Sequence, residues 1–181
     1  ALAHKQSARR AVKHRRYWDS QGLLGRDPTW GRIDRLEGAT TRQQKVINEG
    51  RKTILGRLRR FETKFPERLG WIHADLHLGN FVSCPGGRGG LIDFDDCGLG
   101  FYAYDLALPL LVACRSKKIS ATDYETFHDA LLSAYDRHVP LSSAEINLVN
   151  DLIAARQLLI LGWLQTRADN PCLLYTSDAA D

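Results

Sequence analysis

The chain has 181 residues, 44% of them hydrophobic and 25% charged, with a formal net charge of +4. That length fits one domain able to bury roughly 70% of its unfolded surface, and the composition is that of an ordinary soluble globular protein. No run approaches the roughly 18 apolar residues of a membrane span, and no apolar segment follows the basic N-terminal stretch to make a secretory signal. The four cysteines are scattered without a CxxC pair, which favours free cytosolic thiols over a disulfide framework or zinc site. The expected location is cytoplasmic, with no membrane partner.

Residues 3–16 read as the end of a basic helix, and residues 51–68 form a second Arg/Lys run. No aromatic residues interleave with the basic ones as a stacking platform. Both runs therefore read as solvated helix faces, and no nucleic-acid partner is expected. Tyr17 to Arg32 is irregular, broken by Gly22, Gly25, Pro28 and Gly31 and anchored by Trp18, Leu23, Leu24 and Trp30. Thr41 and Gln44 form an S/T-x-x-E/Q capping box. After it, Val46, Ile47, Gly50, Ile54, Leu58, Phe61 and Phe65 recur at helical spacing as far as Lys64, where Pro66 ends the helix.

Gly70–His73, Asn80–Ser83 and Leu91–Phe94 are short and strand-like. The run Pro85-Gly-Gly-Arg-Gly-Gly90 lies between the last two as a turn, an arrangement that predicts a small antiparallel unit presenting loops at one edge. Gly98 and Gly100 are expected to loosen the backbone after the aspartates. From Asp105 the pattern is helical, with Asp105 as N-cap of Leu106–Arg115 and Pro109 near its start. Thr122/Glu125 and Ser142/Glu145 are further capping boxes, opening helices before and after the Pro140 break. Helices flanking a small strand unit predict a mostly helical α+β domain.

The chemistry lies between Trp71 and Asp105. His73, Asp75, His77 and Asn80 share one loop, and Asp93, Asp95 and Asp96 follow the next strand. Phosphoryl transfer requires an oriented hydroxyl, an acceptor for its proton and a divalent cation on the phosphates. Asp75 can orient a hydroxyl and take its proton. Asn80 offers a neutral oxygen and Asp93 a charged one, hard ligands of the kind Mg²⁺ takes sparingly from protein. Taken singly, each of these residues could equally be turn chemistry; it is their joint spacing that carries the argument. His77 reads either as a substrate- or phosphate-side residue or as a turn residue. Asp95 and Asp96 read as a second-metal or substrate-side carboxylate and an exposed loop acid, in an order the spacing does not settle.

The pattern H-x-D-x-x-x-x-N followed by Ile-Asp-Phe-Asp, with thirteen residues from Asn80 to Asp93, resembles the catalytic and metal loops of kinase-like phosphotransferases. The text IHADLHLGNF…LIDFDDCGLGFYAYDLA is most similar to the aminoglycoside phosphotransferase, choline kinase and type II homoserine kinase group. The resemblance extends over roughly residues 1–171 and implies the mostly helical C-terminal lobe of a protein-kinase-like fold. It also implies ATP as co-substrate, Mg²⁺ as cofactor and a small-molecule hydroxyl as acceptor. On it, Asp75 is the catalytic base, Asn80 and Asp93 are the metal ligands, and His73 anchors the loop. Asp105 would both cap its helix and steady the catalytic loop.

No Gly-rich phosphate loop and no strand lysine with a helix glutamate partner precedes Trp71, and the chain contains no methionine. The last ten residues, CLLYTSDAAD, break from the helical pattern and resemble a translated sequencing adapter. The expectation is a fragment: residues 1–171 a C-terminal lobe without its nucleotide lobe and inactive alone, residues 172–181 a non-native tail. Two other functions are weighed. Asp75-Leu-His77 and Gly79-Asn80 have the letters of a metal-dependent phosphoesterase, but fused rather than separated. A kinase-like binding module without catalysis would not need Asp75, Asn80 and Asp93 intact. Oligomeric state is left open.

Overall fold

The computed structural model describes residues 1, 4, 15–86 and 88–170. The expected tail at 172–181, and most of the expected basic helix at 3–16, lie outside the described residues. Arg16, the last residue of that helix on the sequence reading, instead opens a strand.

The described chain runs β1 (Arg16–Trp18), α1 (Ser20–Leu24), α2 (Thr41–Lys64), β2 (Leu69–Ile72), β3 (Phe81–Cys84), β4 (Arg88–Leu91), β5 (Gly98–Phe101), α3 (Tyr104–Arg115), α4 (Ala121–Asp136) and α5 (Ser143–Gln165). A three-stranded sheet has the order β1-β5-β2, and β3 pairs with β4 in a separate hairpin. β2 and β3 each lie antiparallel to their partners, while β1 runs parallel to β5. The result is a mostly helical α+β fold, with one parallel pairing among strands expected to be antiparallel.

β5 was not legible in the sequence, because two of its four residues are glycines. A Cβ on Gly98 would come within 2.3 Å of the Arg16 carbonyl oxygen, and one on Gly100 within 2.5 Å of the Trp18 Cβ. The glycines let β1 lie against β5; they do not loosen the chain. The third expected strand is displaced for a related reason. β4 is built from the glycine run itself, because the Phe81 ring lies where a Cβ of Gly89 would be, and Ile92–Phe94 is loop.

The stretch expected to be irregular holds β1 and α1, the latter capped by Asp19, whose side chain accepts from the Gly22 N–H. α2 begins one residue earlier than its expected box. Thr40 is the N-cap and Gln43 reaches back to it, which frees Gln44 to donate to the Ile33 carbonyl and accept from the Leu36 N–H. Part of the 51–68 basic run is structural: Arg51 donates to the Leu24 and Gly25 carbonyls, and Arg57 pairs with Asp151 at 2.8 Å. α4 is capped by Ser120 without a reciprocal box, whereas the Ser142/Glu145 box of α5 forms as expected.

α5 is the spine of the core. Leu148, Val149, Leu152, Ala155 and Leu159 are buried along it, and α1, α2 and α3 pack against it. Gly31, at φ 109°, meets Gly162 backbone to backbone, with only 2.5 Å between the Gly31 oxygen and a Cβ placed on Gly162. That contact pins the loop carrying Trp30 to α5, where Thr166 Oγ1 donates to the Trp30 carbonyl at 3.4 Å. Cys84, Cys97 and Cys114 are free. No helix among the described residues is long and apolar enough to cross a membrane.

Candidate active site

The loop after β2 is set by Asp105. Its carboxylate, buried at the start of α3, accepts from the His73 N–H at 2.9 Å and the Ala74 N–H at 2.8 Å. It does not cap its own helix: the N-cap position is Ala103, which has no side-chain cap. The carboxylate that spacing assigned to the cap is spent on the neighbouring loop, where two buried amides would otherwise lack partners. His4 closes the other side of Asp105, with Nε2 2.9 Å from Oδ2 and Nδ1 2.9 Å from the Tyr135 hydroxyl. Held in this way, Ala74 takes φ 66°, a left-handed conformation that costs a non-glycine residue about 1–2 kcal/mol.

His73 ties the two motif loops together. Its Nδ1 accepts from the Asp75 N–H at 3.3 Å, which leaves Nε2–H to donate to the Ile92 carbonyl at 2.9 Å. The ring packs on Phe94 at 4.6 Å between centroids. Ile92 N–H in turn donates to the Asn80 carbonyl at 3.1 Å. Asp93, the next residue, is exposed and left-handed at φ 61°, and its Oδ1 accepts from the Asp95 N–H at 3.5 Å. The only two non-glycine positive-φ residues among those described thus lie one in each motif loop, the kind of clustering functional loops show.

Asn80 is buried, and its Nδ2 donates to the Asp75 carbonyl at 2.9 Å and approaches Asp75 Oδ2 at 3.4 Å. With the amide nitrogen so engaged, Oδ1 accepts no hydrogen bond among the described residues and is the oxygen left for a cation. His77 accepts the Gly79 N–H on Nδ1 at 3.0 Å, which directs Nε2 toward Asp75 Oδ2, 3.5 Å away. Asp95 is exposed. Asp96 is half-buried and carries the perturbed carboxyl: burial pushes it above the usual carboxylate range, Arg16 at 3.3 Å opposes this, and the charges of Asp75 and Asp93 add to the rise. The Trp18 indole N–H fixes the Asp96 carbonyl at 2.7 Å.

One residue at this site was missed on the sequence. Arg156 of α5 donates from Nη2 to Asp75 Oδ1 at 2.9 Å and from Nη1 to the Tyr104 hydroxyl at 3.0 Å. Its guanidinium lies 3.9 Å from the Trp30 ring centroid. Burial pushes the Tyr104 hydroxyl up to about 12 against the opposing charge of Arg156. The signal was present: Arg156 interrupts the apolar stripe Leu152, Leu159, Trp163, and a charge on a buried stripe needs a partner. A cavity of about 660 Å³ beside the first turns of α2 is lined by residues such as Arg35, Gln44 and Lys52 and contains none of these side chains.

Residues 7–141 match the model of the phosphotransferase enzyme family, and the chain belongs to it. Among individual relatives, an amicoumacin kinase of Bacillus subtilis is 28% identical over 131 residues, covering 70% of this chain and 38% of that protein. A homoserine kinase of Gluconobacter oxydans is 39% identical over 106 residues, covering 55% and 33%. An uncharacterized protein of Deinococcus radiodurans is 36% identical over 102 residues, covering 55% and 30%. Among solved structures, a microcompartment-associated aminopropanol kinase superposes with a TM-score of 0.73 at 28% identity, over 90% of this chain and 50% of that one. An amicoumacin kinase in complex with AMP-PNP and Ca²⁺ gives 0.67 at 23% identity, over 98% and 52%. The kinase-like fold is therefore shared. The chain spans about a third of the length of these curated relatives and about half of these solved structures.

Proposed function

We propose that residues 1–171 supply the catalytic and metal loops of an ATP- and Mg²⁺-dependent kinase that phosphorylates a hydroxyl of a small molecule. The observation that carries this reading is the joining of the two loops through His73 and Ile92, which puts the Asp75 carboxylate, Asn80 Oδ1 and the exposed Asp93 carboxylate on neighbouring turns. Asp75 Oδ2 receives the proton of the acceptor hydroxyl as that oxygen bonds to the γ-phosphorus. The bond to the β-phosphate oxygen breaks, and ADP leaves as the phosphate ester forms. Asn80 Oδ1 and an Asp93 oxygen are hard donors that suit Mg²⁺, which takes few protein ligands and completes its shell with phosphate and water. When bound, Mg²⁺ supplies positive charge against the phosphates.

Among the described residues no three His, Cys, Asp or Glu side chains converge to hold a metal. A two-metal phosphoesterase would carry its metal-holding elements apart in the chain, whereas Asp75-Leu-His77 and Gly79-Asn80 are fused, which favours the kinase reading over that alternative. Homoserine and aminopropanol, named for two of the relatives, each carry an amine beside the hydroxyl, and an amine-bearing small alcohol is the acceptor class we assign.

Because residues 1–171 are expected to be inactive alone, the test uses the chain joined to a nucleotide-binding lobe. It follows transfer of label from γ-labelled ATP to a panel of amino alcohols, hydroxy amino acids and aminoglycosides in the presence of Mg²⁺. Asp75→Asn is expected to lower turnover by about 10²–10⁴-fold, well beyond what the lowered urea midpoint from the unpaired Arg156 charge accounts for, with a cooperative urea transition retained. Transfer that survives this substitution, or phosphate-ester hydrolysis without nucleotide, refutes the reading.

A further inference from the structure

Arg156 lies 81 positions from Asp75 along the chain, on a different element, and its side chain is 7% exposed. Neighbours one turn away on the same face, Leu152 and Leu159, are fully buried and apolar. A packing role at this position would be met by a third leucine. The chain instead buries a guanidinium there and leaves its Nε without a partner among the described residues, an arrangement that destabilises unless the charge is used.

The charge is directed at one oxygen. Nη2 takes Asp75 Oδ1 at 2.9 Å, while Oδ2 is approached only at 3.4 Å by Asn80 and 3.5 Å by His77. The guanidinium itself cannot swing, because the Trp30 ring lies 3.9 Å from it and the Tyr104 hydroxyl holds Nη1 at 3.0 Å. Its planar fork gives direction as well as charge.

We propose that Arg156 is a positioning residue: it fixes the Asp75 carboxylate by Oδ1, so that Oδ2 alone faces the acceptor hydroxyl. Trp30 and Tyr104 fix Arg156 in turn. This rests on the phosphotransfer reading for its consequence, though the pairing itself does not. The carboxylate ends a line of contacts from α5, so its rotation is set by the helical core as well as by its own loop. A carboxylate free to turn would present the wrong oxygen, or no oxygen at hydrogen-bond distance. Misplacement of about 1 Å costs on the order of 10²-fold in rate.

Arg156→Leu and Arg156→Lys, with turnover read in the chain joined to a nucleotide-binding lobe, separate positioning from packing. In Arg156→Leu the apolar stripe is continued while the buried Tyr104 hydroxyl loses its partner, so the protein is expected to stay folded with a modestly lowered urea midpoint. Turnover should fall by about 10²-fold with KM for ATP and acceptor within about threefold, the pattern of a lost transition-state interaction. Arg156→Lys keeps the charge without the fork and should recover part of the loss. In an Asp75→Asn background, Arg156→Leu should cost less than about threefold further, since residues acting as a unit are not additive. Turnover of Arg156→Leu within threefold of the unsubstituted protein overturns the positioning role.

A double-substitution cycle on urea midpoints with Arg156→Leu and Asp75→Asn needs no activity. Non-additive midpoints support the pairing, and additive ones overturn it. Absence of any transfer by the unsubstituted chain when joined to a nucleotide-binding lobe overturns the phosphotransfer reading and the catalytic consequence drawn from it, and leaves that cycle to decide the pairing.

Discussion

Replacing Asp105 by alanine removes the acceptor for two buried amides at once. The His73 and Ala74 N–H groups donate to it at 2.9 and 2.8 Å, and Asp105 is 5% exposed. Hydrogen bonds to a charged group contribute about 1.5–3 kcal/mol each, and an amide left buried and unpaired costs about 1–3 kcal/mol. Ala74, held at φ 66° by these bonds, would recover its left-handed strain of about 1–2 kcal/mol by relaxing, which offsets part of the loss. The expected cost of Asp105→Ala is therefore about 3–5 kcal/mol, a large part of the total stability of about 5–15 kcal/mol usual for a domain. Asp105→Asn keeps the shape and one acceptor oxygen but turns an NH₂ toward a donor, and should cost about 2–3 kcal/mol. Urea denaturation followed by tryptophan fluorescence gives the free energies, and amide hydrogen exchange at His73 and Ala74 locates the effect. A loss below about 1 kcal/mol in Asp105→Ala, or unchanged protection at those two amides, would refute the argument that this carboxylate shapes the loop.

The sheet gives a second outcome. Gly100→Ala puts a methyl within 2.5 Å of the Trp18 Cβ and 2.7 Å of its carbonyl oxygen, and should destabilise by about 2–3 kcal/mol through overpacking; a neutral effect on the urea midpoint would mean that β1 does not seat on β5 as described. The helix start is tested by contrast: Thr40→Ala should cost about 1 kcal/mol as a lost N-cap, whereas Thr41→Ala should cost little, and the reverse ranking would move the cap back to the sequence-based position. Asp96 gives a pH dependence. Its carboxyl is raised in the folded chain by burial and by the charges of Asp75 and Asp93, despite Arg16. Between the usual carboxylate range and that raised value the folded chain holds a proton the unfolded chain has released, so stability falls as pH rises through this window. Asp96→Asn should flatten that fall and leave the protein more stable than the unsubstituted chain at neutral pH. Urea midpoints across an acidic-to-neutral pH series check it, and an unchanged slope would show that Asp96 is not the group responsible.

The amino-acid sequence by itself determined the helical frame and the position of the two motif loops. Periodic apolar residues and Pro66 bounded α2, the Ser142/Glu145 box opened α5, and the spacing of Asp75, Asn80 and Asp93 marked the motif, because helix periodicity and loop motifs are local in the chain. The two glycines of β5 carried no strand signal, since their reason is the approach of a different strand, and α1 and β1 were hidden by the same breakers that made their segment look irregular. Asp105 shows the limit most clearly. Its position before an apolar helical run has the local signature of an N-cap, yet its carboxylate serves His73 and Ala74, about thirty residues earlier. Arg156 reaches Asp75 across 81 residues, and Asp96 is set apart from Asp95 only by its burial beside Arg16 and Trp18. Only the tertiary structure decided these, because a buried charge takes whichever partner the packing of distant elements brings within hydrogen-bond distance, and nothing in local spacing encodes that partner.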